Sequence, residues 1–170
     1  GAEINSTDAK ISFQQGLLVE ELDYPDYFMD SFIDSGSSNS AYESSTELII
    51  GRSQFSSSNA YQSFSMMKVN WSSLPIPSTY EFIDASLTLN RLSGGENGQE
   101  TIRIAVCELD TYWNASATYN SPTGNSTGWG GGSCETQFTI STLDYQDNSV
   151  EFDITYPVQH AHANGNSSIN

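Results

Sequence analysis

Lys10–Leu22, KISFQQGLLVEEL, is the stretch on which the reading of the chain turns. It alternates like a strand buried on one face: Ile11, Phe13, Gln15, Leu17 and Val19 point one way, and Lys10, Ser12, Gln14, Gly16 and Leu18 the other. A polar leader, residues 1–9, precedes it, and an acidic segment, residues 20–30, follows. A strand this apolar has to complete a sheet, in its own molecule or in another.

The chain has 170 residues, enough for one domain with a core of its own. Only 15% of it is charged and 36% is hydrophobic, and Ser, Thr, Asn, Gly and Tyr fill much of the rest. That profile points to an extracellular β-protein, because the Leu/Ala/Glu/Lys blocks that build helices are scarce. Five basic against 21 acidic residues give a net charge of −16. This disfavours nucleic acid and anionic membrane surfaces, which reward Lys/Arg clusters, and it permits divalent cations. No apolar run approaches the length of about 18 residues that a membrane-spanning helix needs, so membrane insertion is not expected. The opening GAEINS resembles the residue that follows a cleaved export signal.

Beyond the opening stretch, short alternating segments recur between Gly, Ser, Asn and Pro loops. These are TELIIG (46–51), YQSFSMMKVNW (61–71), IDASLTLNRL (83–92), TIRIAVCEL (101–109), TQFTIST (136–142) and NSVEFDITYPV (148–158). The last is predicted to put Val150, Phe152, Ile154, Tyr156 and Val158 on one face, and YPVQHAHANG can also form a turn of helix. Residues 110–134 are irregular and rich in glycine. Seven or eight strands without a long helix predict an all-β, antiparallel β-sandwich or jelly roll.

The order of several motifs resembles the disaggregatase-related DNRLRE-type β-sandwich domains of secreted and cell-surface proteins, a group that includes carbohydrate-binding modules. The likeness rests on DSFIDSGSSNSAYESSTELIIG, SFSMMKVNWSSLPIPSTYEFIDASLTLN, IRIAVCELDTYWNASATYNSP and VEFDITYPVQHAHANG, and spans residues 28–165. The resemblance implies a further apolar strand after the Asn/Gly turn at NGNSSIN, and the sequence supplies none there. The spare strand lies at the other end. The expectation is therefore an N-terminal extension, residues 1–27, carrying a donor strand at 10–22, and an incomplete sandwich at 28–170. Insertion into the neighbouring subunit would be donor-strand complementation, building a head-to-tail homopolymer of identical subunits: an extracellular, cell-surface filament or pilus. Burying Ile11, Phe13, Leu17 and Val19 would contribute about 6–12 kcal/mol before ordering costs, at about 1.5–3 kcal/mol each. The alternative is a monomeric carbohydrate-binding or adhesin-type module whose own N-terminal strand closes the sandwich.

Cys107 and Cys134 bracket a polar loop and are expected to pair, stabilising by about 3 kcal/mol. Sequons at Asn5, Asn70, Asn114, Asn125 and Asn166 mark N-glycan acceptors. Asp23, Asp26, Asp30 and Asp34 are hard-oxygen candidates for Ca²⁺. His160 and His162 flank one alanine and would share a face if the segment were a strand. Trp129, in the glycine loop, is a candidate contact for a ligand or a neighbouring subunit, whereas Trp113 matches a structural position of the resembled family. No G-x-S-x-G, HExxH or phosphate-loop motif occurs, so no enzymatic activity is expected.

Overall fold

The computed structural model describes residues 2–15, 18–23, 26–43, 45, 47–56, 59–77, 79–94, 101–109, 112–123, 136–144 and 146–170. The protein is all-β and antiparallel, with one short α-helix. Its strands are β1 (Ala2–Gln15), β2 (Leu18–Asp23), β3 (Phe28–Asp34), β4 (Glu47–Ser56), β5 (Asn59–Asn70), β6 (Asp84–Gly94), β7 (Ile102–Glu108), β8 (Thr136–Leu143), β9 (Ser149–Asp153) and β10 (Ser168–Ile169). The helix, α1, spans Thr155–Ala163. Among the described residues no helix is long and apolar enough to cross a membrane.

The larger sheet runs β10-β5-β4-β1-β6-β9, with β3 along the other edge of β5 and β2 beside β1. β7 and β8 form a separate ribbon. β8 lies against β9, where the Ser141 hydroxyl donates to the Glu151 carbonyl at 2.8 Å. At the far side of the ribbon the Leu109 N–H donates to the Asn170 carbonyl at 3.4 Å, beside β10. Followed from neighbour to neighbour, the strands make a circuit around one core.

The alternation in the sequence explains which faces turn inward. In β6, Ala85, Leu87 and Leu89 are buried while Ser86, Thr88 and Asn90 are partly exposed. β9 repeats the pattern with Val150 and Phe152 inside. β3 breaks it, since Ser31, Phe32 and Ile33 are buried in succession. Phe32 packs in the main core and stacks on Tyr42, with ring centroids 4.0 Å apart. Ile33 faces a second cluster with Met66, Trp113 and Ala117. The 112–123 segment supplies that second cover, and it is pinned to the 38–43 loop by Asn120 N–H to the Ser38 carbonyl and Ser116 hydroxyl to Glu43. β5 is covered on both sides for the same reason, which accounts for its consecutive Met66 and Met67.

The stretch expected as one strand to Val158 divides. β9 ends at Asp153 and α1 begins at Thr155, with Pro157 in the first turn, where no intrahelical N–H is required. Val158 remains fully buried, but Tyr156 is 63% exposed rather than facing inward. Gly165 ends the helix at φ +76°, with Asn166 N–H donating back to the Ala161 carbonyl and Gly165 N–H to that of His162.

Candidate functional site

The opening stretch is a hairpin rather than one strand. β1 and β2 pair from Lys10↔Asp23 to Gln15↔Leu18, with Ile11 opposite Leu22 and Phe13 opposite Glu20. Directly opposed residues share a face, so the reversal changes which residues accompany Ile11. Leu22 joins it in the core, at 1% and 0% exposure respectively. Val19 pairs in register with Gln14 rather than continuing the strand beyond Gln15. Leu17 lies outside the described residues. The sequence signal for the reversal is Gly16 in mid-run, since glycine within a strand pattern marks a bend.

β1 is integrated in the sheet of its own chain. Its first part, Ala2–Asn5, lies between β4 and β6; its second, Lys10–Gln14, lies between β2 and β6, with Ile11 opposite Leu87 and Phe13 opposite Ala85. The polar leader therefore belongs to a strand, and the 1–27 segment shares one sheet with the remainder of the chain. Among the described strands β1 alone bridges the sheet: β5-β4 lies on one side of it and β6-β9 on the other. Because β1 is antiparallel to both β4 and β6, those two strands run parallel to each other and are held apart by it.

A second feature is an apolar cavity of about 410 Å³ between β5 and β7. Its floor includes Ile11, Leu48, Leu87, Leu89 and Ile154. Its rims are consecutive residues, Phe64–Met67 of β5 and Ile104–Leu109 along β7 and just past it. Successive strand residues point to opposite faces, so a cavity touching all of them abuts the edges of the two strands.

The pairing register says the same of β5. Ser63 pairs with Asp34 of β3 and Gly51 of β4, and Val69 pairs with Phe28 of β3 and Ile169 of β10. β4 and β10 thus lie on the same edge of β5. Between them, residues 64–68 have no ladder partner on that edge among the described residues. Only the Ser65 hydroxyl reaches across, donating to the Ile49 carbonyl at 3.1 Å. The edge of β7 away from β8 likewise has no ladder partner among the described residues.

The other candidates are scattered. Cys107 is disulfide-bonded, at the end of β7 on the rim of the cavity; Cys134 lies outside the described residues, as do Asn125 and Trp129. Asn5 is paired on both edges of β1, with Glu47 and Asn90. Asn70 and Asn166 are exposed and Asn114 is half-buried. Asn70 and Asn114 each accept, through Oδ1, the backbone N–H of their own sequon serine, Ser72 at 2.8 Å and Ser116 at 3.0 Å. The Asn70 and Asn166 sequons lie on neighbouring strands, joined by Trp71 N–H to the Ser167 carbonyl.

No set of three or more potential metal-ligating side chains gathers among the described residues. Asp30 and Asp34 share a face of β3, yet four residues of strand separate them by about 13 Å. Asp34 is committed locally, accepting from Gly36 N–H at 2.5 Å and the Ser63 hydroxyl at 3.3 Å. Asp26 is exposed before β3, and Asp23 pairs with Lys10 at the end of β2. The two histidines lie on α1, where residues two apart diverge. His160 stacks on Tyr156, while His162 meets Phe82 edge-on. Trp113 is 1% exposed and packs with Ile33.

No family model, curated protein or solved structure matches the chain.

Proposed function

We propose that the protein is a non-enzymatic structural subunit of an extracellular, cell-surface filament that polymerises head to tail through its N-terminal strand. The observation that carries this reading is the place of β1. It is paired along both edges, and among the described strands the sheet separates without it into β5-β4 and β6-β9. A strand that fills the gap between two halves of a sheet is the kind of element that strand exchange passes between subunits. In the filament β1 of one subunit takes, in the next, the place between β4 and β6 that it holds in its own chain when alone.

We read the circuit as a jelly roll. The β4-β1-β6-β9 order makes one wall, and β5-β10 beside β7-β8 makes the other. The motif order that resembles the DNRLRE-type domains agrees with this reading. The exposed sequons at Asn70 and Asn166, and the disulfide at Cys107, suit an oxidising, extracellular setting with covalent N-glycans.

Negative-stain microscopy of the purified chain, with and without residues 1–23, tests the proposal. Filaments from the full chain, their loss on truncation and their failure to form from the truncated body alone are expected. Normal assembly of the truncated chain would sink it. One observation favours a second reading, a closed monomeric carbohydrate-binding module: β1 completes the sheet of its own chain. A stable monomer at high concentration by size exclusion, retarded on a polysaccharide matrix, would support that instead.

A further inference from the structure

We propose that the pocket between residues 71–76 and the turn after α1 seats the first sugar of an N-glycan carried by Asn166. The inference rests on the reading of the chain as an extracellular protein with covalent N-glycans. Attachment joins C1 of the sugar to Asn166 Nδ2; the amide gives up one proton, and the activated glycosyl donor gives up its phosphate leaving group.

The pocket encloses about 210 Å³, and Asn166 is itself one of its lining residues. So are Ser167, which follows it in the sequon, and Ser72, the last residue of the Asn70 sequon. Trp71, Leu74 and Ile76 supply the apolar part of the lining. Trp71 is buried, whereas Leu74 and Ile76 are half-buried and keep apolar surface that a ligand can cover. A pyranose ring matches this mixture, because its C–H face packs on apolar side chains while its hydroxyls meet serine hydroxyls and water. The volume lies below the range of about 300–1,000 Å³ usual for drug-sized ligands, which suits a single ring.

The acceptor is held in place. Asn166 N–H donates to the Ala161 carbonyl at 2.9 Å, Gly165 N–H to the His162 carbonyl at 2.9 Å, and the Ser167 carbonyl accepts from Trp71 N–H at 2.8 Å. A sugar on Asn166 therefore starts from a fixed point beside the pocket, and little ordering is left to oppose its seating. The Asn166 side chain is exposed and makes no hydrogen bond among the described residues, whereas Asn164, two residues earlier, donates its amide to the His160 carbonyl at 2.8 Å. The occupant is an attached sugar rather than a free one because the attachment point stands in the lining. A short tether holds its load at an effective concentration of about millimolar, so the weak contacts of a small pocket suffice.

The test uses the chain secreted by a eukaryotic host and trimmed to one N-acetylglucosamine at each occupied sequon, beside the same chain made without glycosylation. Glycopeptide mass spectrometry reads occupancy, and amide hydrogen exchange reads the pocket. Expected are a sugar at Asn166 and a slowing of about tenfold, sugar-bearing against sugar-free, at the hydrogen-bonded amides of Leu74, Ile76 and Asn166. Ser168→Ala removes the Asn166 sequon and should abolish the slowing, while Ser116→Ala removes that of Asn114 and should leave it intact. Ile76→Ser keeps the sequon but takes away apolar lining, and should hold the slowing at Leu74 and Asn166 under about threefold. Equal exchange with and without sugar at an occupied Asn166, slowing that survives Ser168→Ala, or full slowing in Ile76→Ser overturns the seat and leaves the glycoprotein reading standing. So does an empty Asn166 beside sugars at other sequons. No sugar at any sequon overturns both.

Discussion

Truncating Ile11 to alanine is the most direct probe of whether β1 is seated in the core. The side chain is fully buried, and it lies between Leu22 of β2 and Leu87 of β6, both themselves buried. Ile11→Ala removes three carbons, which at about 0.8 kcal/mol each gives a transfer loss of about 2.4 kcal/mol. A cavity term normally adds to this, but Ile11 already borders the β5–β7 cavity, so truncation widens an existing space. The expected cost is therefore about 3 kcal/mol, toward the lower part of the usual range for such changes of about 2–5 kcal/mol. Measured by urea denaturation at micromolar concentration, that corresponds to a midpoint lower by about 1.5 M for a slope of about 2 kcal/mol/M. Tyr156→Ala serves as a control, because its ring is largely exposed and its loss should stay within about 0.5 kcal/mol. A loss below about 1 kcal/mol for Ile11→Ala, with an unchanged slope, would refute the seating of β1.

Gly165→Ala should destabilise by about 1–2 kcal/mol in the same assay, because the residue sits at φ +76° with open space around its Cα, so that the cost is backbone conformation alone. Asp153 accepts the Thr155 N–H at 2.9 Å at the start of α1, and hydrogen bonds from the Thr155 backbone and then its hydroxyl hold the carboxyl below its ordinary value. A lowered folded value means the stabilisation is complete above the unfolded carboxylate range near about pH 4 and is lost as pH falls through the folded value. Circular dichroism melts from pH 6 downward should show that acid loss in the natural chain and a weaker one in Asp153→Asn. Replacing both cysteines by serine should lower stability by about 3 kcal/mol under oxidising conditions and remove the difference that reductant makes to the natural chain.

The fold class was legible because burial on one side leaves a period of two, and β6 and β9 carry it plainly. The irregular places have specific causes. Consecutive buried residues in β3 and β5 follow from the 112–123 segment covering their second face, a long-range contact that no local pattern encodes. The end of β9 is ambiguous in the sequence because Val158 is buried and in phase with the strand, although it is reached through a helix. The hairpin reversal was written in Gly16, but the apolar residues on either side of it match both an unbroken strand and a folded one. The burial of Ile11 is legible in the alternation, whereas its pairing with Leu22 is not, since that partner depends on the reversal. Of the calcium candidates, Asp30 and Asp34 would be neighbours on a helix, whereas four residues of β3 hold them about 13 Å apart. The β5–β7 cavity has no sequence signal, because which strands border it is a property of topology.

The balance between the closed chain and the filament follows from what exchange changes. A like-for-like exchange of β1 makes the same ladders with β4 and β6 that it breaks, so those contacts do not favour either state. What opposes exchange is the tether: a short flexible connection holds a segment at an effective concentration of about millimolar in its own chain. Two things can tip the balance, contacts that exist only between subunits and a tether too short to reach home. The second is accessible to experiment, because β2 ends at Asp23 and β3 begins at Phe28. Deleting Asp26 and Tyr27 should strain the closed form and shift the chain toward filaments at lower concentration. Inserting a Gly/Ser segment of about ten residues at the same point should relax the closed form and favour the monomer. Sedimentation velocity across a concentration series reads both. Identical monomer–polymer balances in the shortened and lengthened chains would show that β1 does not pass between molecules.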